Sequence, residues 1–382
     1  MTKFLPLIAL FLWGFENGPV NFILSHFILI IWIFLNLKYF NIPKLNGILV
    51  LFLVLVFLLG AFRSPFRAVS QMIGFFLYFW SGYVMWKQHQ DNLLKYLRIV
   101  VVYVVIIGWV KWIFISTGYP ILLFADKIHH NAMGIVRFDS IFNEPSHYVY
   151  CIAPTFFLFE FRGWRQSMFK SIMLLSLVLT FSTILVFAFI ATFLLLNLSR
   201  KTFPSAAVIF LLSIPFVLLS PDTSSRIYGI LDLFNGIRVD NHTNASSVAL
   251  FSHAYAYYSF FIEEPIRAIV GVGIGAYSHI FMDYGIGLLR GTIYGEKLLN
   301  LHDANSLLLR GLGETGVAFL AGLYIIYRYI KRELIFDRRI AYMITLLILS
   351  KLFRDGNLFI GGLPFYLGLL YARNKSLFLE RR

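Results

Sequence analysis

The chain holds a single cysteine, Cys151, in 382 residues. An internal disulfide and a cysteine-based zinc cluster are therefore excluded. Charge is scarce as well. Asp, Glu, Lys and Arg make up 14% of the chain, against roughly 25% in soluble domains. Acidic residues are the rarer sign, 19 against 33 basic, for a formal net charge of +14. There is no Asp-x-Asp pair to hold a divalent ion. What remains is apolar: 59% of residues are hydrophobic, with 41 Phe and 21 Tyr, and the mean hydropathy is +0.76. That composition is the signature of an integral membrane protein with aromatic interface belts. In a soluble protein the basic excess would point to nucleic acid. Here it reads first as a topology signal, and no nucleic-acid partner is expected.

Apolar runs long enough to span, or nearly so, cover 4–15, 21–37, 47–62, 69–86, 99–116 and 147–161. Others cover 171–198, 205–220, 306–328, 339–352 and 357–372. The first begins "MTKFLPLIALFLWGFENG". It has no small-residue cleavage site and reads as a membrane segment, not a removed signal. The 171–198 run breaks at "FSTI", near Ser182, and reads as two short, tightly turned helices. The expected fold is all-α: one polytopic membrane domain, 1–382, with about 12 spans.

Basic residues test that count. With Lys3 inside, the inner loops hold Lys38 and Lys44, then Lys87, Lys95 and Arg98. Arg162, Arg165 and Lys170 follow, then Arg200 and Lys201, then Arg328, Lys331, Arg332, Arg338 and Arg339. The tail adds Arg373, Lys375, Arg381 and Arg382. The alternation is positive-inside throughout and puts both termini in the cytoplasm. Two long segments then lie outside, 117–147 and 221–305. Loops of that length are functional or disordered in most compact proteins. Within the second, "IYGILDLF" and "ASSVALFSHAYAYYSFF" read as amphipathic helices at the interface.

Three groups of residues stand out. In "RFDSIFNEPSHYVYCIAP", Arg137, Asp139, Glu144 and His147 gather against an apolar run. Pro145 suits the first position of a helix, and the positive helix end would face the loop and attract anions. Glu144 and His147 share a face at three-residue spacing. The plainer reading is a capping carboxylate and an interfacial histidine. In "NLHDANSLLLRGLGETGVAF", His302, Asn305 or Ser306, and Arg310 fall at three- and four-residue spacing, as along one helix start. An arginine inside a membrane segment is a functional hypothesis by default, although Glu314 at i+4 offers it a partner. In the outer segment, Arg226, Arg238, Arg267, Arg290 and Lys297 are not explained by topology. Arg suits bidentate phosphate recognition; ordinary solvation is the plainer reading. "GVGIGAY" lacks the spacing of a phosphate loop. Adjacent His129 and His130 suit one metal poorly. Lys111 lies mid-span, without an assigned partner.

"RFDSIFNEPSH" before an apolar span resembles the pattern of O-antigen and exopolysaccharide polymerases. "GVGIGAY" followed by "LHDANSLLLRGLGETGVAF" is similar to a pattern in the wider O-antigen polymerase and ligase superfamily. There a G-x-G stretch in a large outer loop precedes H-N-x-x-L and E-x-G at the next helix. The short-turned pair at 171–198 fits as well. One departure is His302-Asp303 in place of His-Asn, with Asn305 two positions on. The resemblance covers the topology and roughly residues 130–330.

The resemblance implies a metal-independent, cofactor-free, membrane-embedded glycosyltransferase of the GT-C type. It would act on the outer face of the inner (cytoplasmic) membrane, in lipopolysaccharide or exopolysaccharide biosynthesis. The donor would be an undecaprenyl-diphosphate-linked oligosaccharide and the acceptor a lipid-linked repeat unit. Membrane lipid and a chain-length regulator protein are the further partners in that reading. Developing charge on the diphosphate needs cations or a helix N-terminus. Arg137 and Arg310 are the candidates, with Arg226 and Arg238 from the loop. Glu144 and His302 are the candidate bases, and the unperturbed imidazole pKa suits His302 better. His147, Asn305 and Asp139 are expected at the substrate. Two alternatives stand: a ligase that passes finished glycan to another acceptor, and a lipid-linked sugar flippase or secondary transporter. Against the latter, no internal repeat is visible, and the notable charges lie at the outer ends of spans.

Overall fold

A computed structural model describes residues 2–12, 18–39, 47–90, 92–118, 136–142, 144–159, 163–180, 182–197, 245–290, 292, 294 and 301–379. Among these it is all-helical, without a strand. The helices are α1 (Leu5–Leu12), α2 (Gly18–Leu35), α3 (Gly47–Arg63), α4 (Pro65–His89) and α5 (Leu93–Ser116). Next come α6 (Pro145–Ile152), α7 (Trp164–Val178), α8 (Thr183–Asn197), α9 (Ala245–Glu263) and α10 (Pro265–Val270). The last are α11 (Leu307–Thr315), α12 (Val317–Phe336), α13 (Arg338–Arg354) and α14 (Leu363–Leu379).

Local chemistry sets many of these boundaries. Pro65, Pro145 and Pro265 open α4, α6 and α10, where a missing N–H costs nothing. Ser306 and Asp337 cap α11 and α13 through their side chains. The 171–198 run divides at 179–182, between α7 and α8. Gly316, at φ 59°, ends α11 and starts α12 in a new direction.

Among the described residues one helix, α5, is long and apolar enough to cross a membrane by length and composition. Shorter apolar helices cover Ile23–Leu35, Val54–Arg63 and Leu185–Asn197. Large apolar side chains also stand exposed along the helices, among them Phe34, Tyr103, Phe114 and Leu175.

The bundle core runs through α1, α2, α4, α6, α13 and α14, with Trp32, Tyr78, Tyr148 and Phe365 fully buried. α4 packs most extensively on α14. A Cβ on Gly82 would lie 1.9 Å from the Phe365 carbonyl oxygen, so only glycine permits that approach. A second core gathers Val248, Phe260, Val272, Tyr277, Phe281 and Leu289. Residues 245–290 are therefore folded around an apolar centre of their own.

Several long-range polar contacts gather at the two ends of the bundle, while Tyr78 bonds the Ala9 carbonyl and Ser140 the Val104 carbonyl within it. At one end Lys3 donates to Tyr96 (3.1 Å), Gln88 to Asn36 (2.7 Å) and Tyr342 to Asn197 (2.6 Å). Glu333 pairs there with Arg373. At the other end Arg67 meets His302, Ser306 meets the Leu352 carbonyl, and Arg137 meets the Thr180 carbonyl. α4 and α13 each contribute one terminus to each set.

Candidate functional site

The glycine-rich stretch builds the site's frame. Gly271, Gly273 and Gly275 all have positive φ, a conformation other residues adopt at a cost. The stretch threads between the α3–α4 junction and the end of α11. Val272 N–H donates to the Gly313 carbonyl (2.8 Å), Gly273 N–H to Glu314 (2.9 Å) and Ile274 N–H to Val56 (3.2 Å). Arg63 Nη1 donates to the Val272 carbonyl (3.1 Å). Those amides are spent on protein carbonyls, so this stretch cradles helices and not a phosphate.

This frame brings the start of α4 against the turn before α11. Arg67 Nη2 donates to His302 Nε2 at 2.5 Å. A guanidinium has no lone pair. Nε2 must therefore be the acceptor, and in a neutral ring the proton sits on Nδ1. Burial lowers the Arg67 pKa; Asp303 raises it and Arg310 lowers it. The group stays cationic throughout the physiological range.

His302 and Asn305 do not stand on the helix with Arg310, as their spacing predicts. They occupy a turn in which Ala304 and Asn305 have φ of 54° and 53°. Left-handed backbone cannot continue a right-handed helix, and Ser306 caps α11 only after it. The Ser306 hydroxyl also donates to the Leu352 carbonyl (2.6 Å). Asn305 is buried in this turn.

Arg310 is the anchor beneath. Its side chain is 4% exposed. Nε donates to Glu314 Oε1 (3.0 Å), and Nη1 to Asp303 Oδ1 (3.1 Å) and the Gly356 carbonyl (2.8 Å). Three acceptors thus hold the guanidinium from three elements. Arg310 positions the His302–Asp303 turn, and this differs from the expected direct role on substrate charge. Beside it, Lys351 Nζ donates to Asp355 Oδ2 and the Asn357 carbonyl, both at 2.6 Å.

The first constellation is held by other elements. Asp139 turns inward and pairs with Lys111 Nζ at 2.9 Å, both side chains buried. That gives Lys111 its partner and takes Asp139 away from the expected substrate role. Arg137 Nε donates to the Thr180 carbonyl (2.9 Å), tying the segment to the α7–α8 turn. Glu144 is exposed at the start of α6, makes no side-chain cap, and accepts from Ser146 Oγ (3.0 Å). His147 Nδ1 is buried without a hydrogen-bond partner.

The end of α13 neighbours both groups. Tyr150 of α6 donates to the Arg354 carbonyl (3.5 Å), while Ser306 and Arg310 bond Leu352 and Gly356. Arg226, Arg238, Lys297, His129 and His130 lie outside the described residues. Among the described residues no group of three or more His, Cys, Asp or Glu side chains is arranged to hold a metal ion.

Arg67 and Arg63 do not stand among the residues that the sequence motifs single out. Their signal was available: "FRSPFRAVS" puts two arginines in a turn that the positive-inside pattern assigns to the outside. The chain matches no protein-family model, no curated protein and no solved structure.

Proposed function

We propose that the chain is a polytopic membrane protein of about 12 spans and a metal-independent glycosyltransferase. It polymerises a polysaccharide on the outer face of the cytoplasmic membrane, with both termini inside. The donor is an oligosaccharide on undecaprenyl diphosphate and the acceptor a lipid-linked repeat unit. One feature supports the membrane placement: large apolar side chains stand exposed along the helices.

The observation that carries the chemistry is the contact of Arg67 with His302, beside the Asp303–Arg310 cluster. In the resting site Arg67 occupies the lone pair of Nε2. A diphosphate competes for the guanidinium with charge-assisted, bidentate bonds. When Arg67 turns to the donor, Nε2 becomes free. The acceptor oxygen attacks the anomeric carbon, and its proton passes to Nε2. The bond from the anomeric carbon to the diphosphate oxygen breaks, and the lipid diphosphate leaves with its negative charge held by Arg67. Glu144, exposed at the start of α6, orients the acceptor or serves as an alternative base.

The test uses purified protein in nanodiscs, given a lipid-diphosphate-linked repeat unit and no divalent metal. The wild type yields a saccharide ladder; Arg67→Gln, His302→Gln and Glu144→Gln lose it. No ladder from folded wild type on a correct substrate sinks the polymerase reading. A foreign acceptor then separates a ligase from a flippase.

A further inference from the structure

The end of α3 and the start of α10 enclose an open groove of about 510 Å³, lined by Leu59, Arg63, Glu263, Ile266, Arg267 and Val270 among others. Its surroundings are apolar and exposed: Phe62 is 88%, Phe66 85% and Ile266 80% accessible. Side chains of that size are not left in water without a reason.

The charges in the groove are unequally committed. Arg267 Nη1 contacts both oxygens of Glu264 (2.8 and 2.6 Å), and the Tyr284 hydroxyl donates to the same carboxylate (2.5 Å). Glu264 is therefore fully engaged. Arg267 Nε is buried without a hydrogen-bond partner. Arg63 donates once, from Nη1 to the Val272 carbonyl, so its Nε and Nη2 keep unused donors among the described residues. Burial and then repulsion from Arg267 lower the Arg63 pKa, while the nearby Glu264 and Asp283 carboxylates raise it. Glu263 lines the groove, is exposed, and makes no ion pair among the described residues.

We propose that this groove seats the headgroup of a zwitterionic aminophospholipid, its phosphate between Arg63 and Arg267 and its primary ammonium on Glu263. One uncommitted cation and one uncommitted anion match a headgroup that carries both signs. A diphosphate would meet two carboxylates, and an anionic glycerol headgroup would leave Glu263 unpaired. A trimethylated ammonium offers Glu263 no N–H. Phe62, Phe66 and Ile266 would contact the acyl chains. The inference rests on the membrane placement proposed above and not on the transferase reaction.

The test compares phosphatidylethanolamine, phosphatidylcholine and phosphatidylglycerol with identical acyl chains, added to the detergent-purified full chain. Native mass spectrometry reads lipid retention, and thermal unfolding reads stabilisation. Phosphatidylethanolamine is expected to bind about tenfold more tightly than the other two, as one charge-assisted hydrogen bond allows. Glu263→Gln, on an exposed side chain, erases the preference over phosphatidylcholine. Arg63→Gln weakens both of those lipids. Equal or tighter binding of phosphatidylglycerol would make the groove a plain anion site and overturn the proposal. So would equal retention of phosphatidylcholine, a preference that survives Glu263→Gln, or no retention at all. A ladder without lipid preference would remove this inference alone; lipid preference without a ladder would remove only the transferase reading.

Discussion

Arg67 and His302 are 235 positions apart and meet side chain to side chain. The contact depends on the glycine-rich stretch at 271–275, which holds the α3–α4 junction against the end of α11. The contact is a charge-assisted hydrogen bond from a guanidinium to a neutral imidazole, which an anion bound more tightly by Arg67 would displace.

The Lys111–Asp139 pair joins α5 to the 136–142 segment inside the bundle. Removing one partner leaves a buried charge uncompensated, at a cost of about 3–5 kcal/mol. Lys111→Met and Asp139→Leu should each destabilise strongly. The double variant should recover most of the loss, because both desolvation costs disappear together. Thermal unfolding of the three proteins in one detergent decides it. Additive losses would mean that the pair is not coupled.

Arg310 serves three acceptors through a planar fork. A lysine keeps the charge but cannot reach all three. Arg310→Lys should cost about 2 kcal/mol and Arg310→Ala more. Both should slow any activity that needs His302 in place. A lysine variant with wild-type stability and activity would show that the fork is dispensable.

A Cβ on Gly356 would lie 1.4 Å from the Asp303 carbonyl oxygen, backbone against backbone. Gly356→Ala should therefore cost about 3 kcal/mol or more and displace the His302 turn. Gly322 in α12 has nothing within 4 Å of the same position. Gly322→Ala should be neutral or stabilise by up to about 1 kcal/mol. Unfolding midpoints that rank the two variants the other way would refute the packing described.

The Arg267 and Tyr284 hydrogen bonds hold the Glu264 carboxyl below its ordinary range. The same bond pushes the Tyr284 hydroxyl up to about 12. A carboxyl depressed in the folded state stabilises above its unfolded pKa, and that stability is lost as pH falls through the folded value. Solvent screening limits the effect to about 0.5 kcal/mol. Unfolding midpoints between pH 6 and pH 3 should fall less steeply in Glu264→Gln than in the wild type.

Helix positions were largely legible because their signals are local. Pro145, the break near Ser182 and the apolar periods of α3, α4 and α5 act within a turn or two of chain. The candidate site was legible only as a set of residue types. His302, Asp303 and Arg310 were visible as a polar cluster at a helix start, yet Arg310 gave no sign of which acceptors it serves. Asp139 looked like a substrate ligand because Lys111, its partner, lies 28 positions away.

Hydropathy, prolines and capping residues were enough to mark most of the described helices and the polar residue types gathered near their ends. Those properties belong to short stretches and to composition. The pairing of Arg67 with His302, the burial of Asp139 on Lys111 and the groove between Arg63 and Glu263 needed the packed chain. Each depends on which distant segments approach closely: Gly60 against Ile274 and Gly356 against Asp303 around the first and third, Gly108 against Phe138 and Ser140 beside the second, contacts that leave no periodic trace in the sequence.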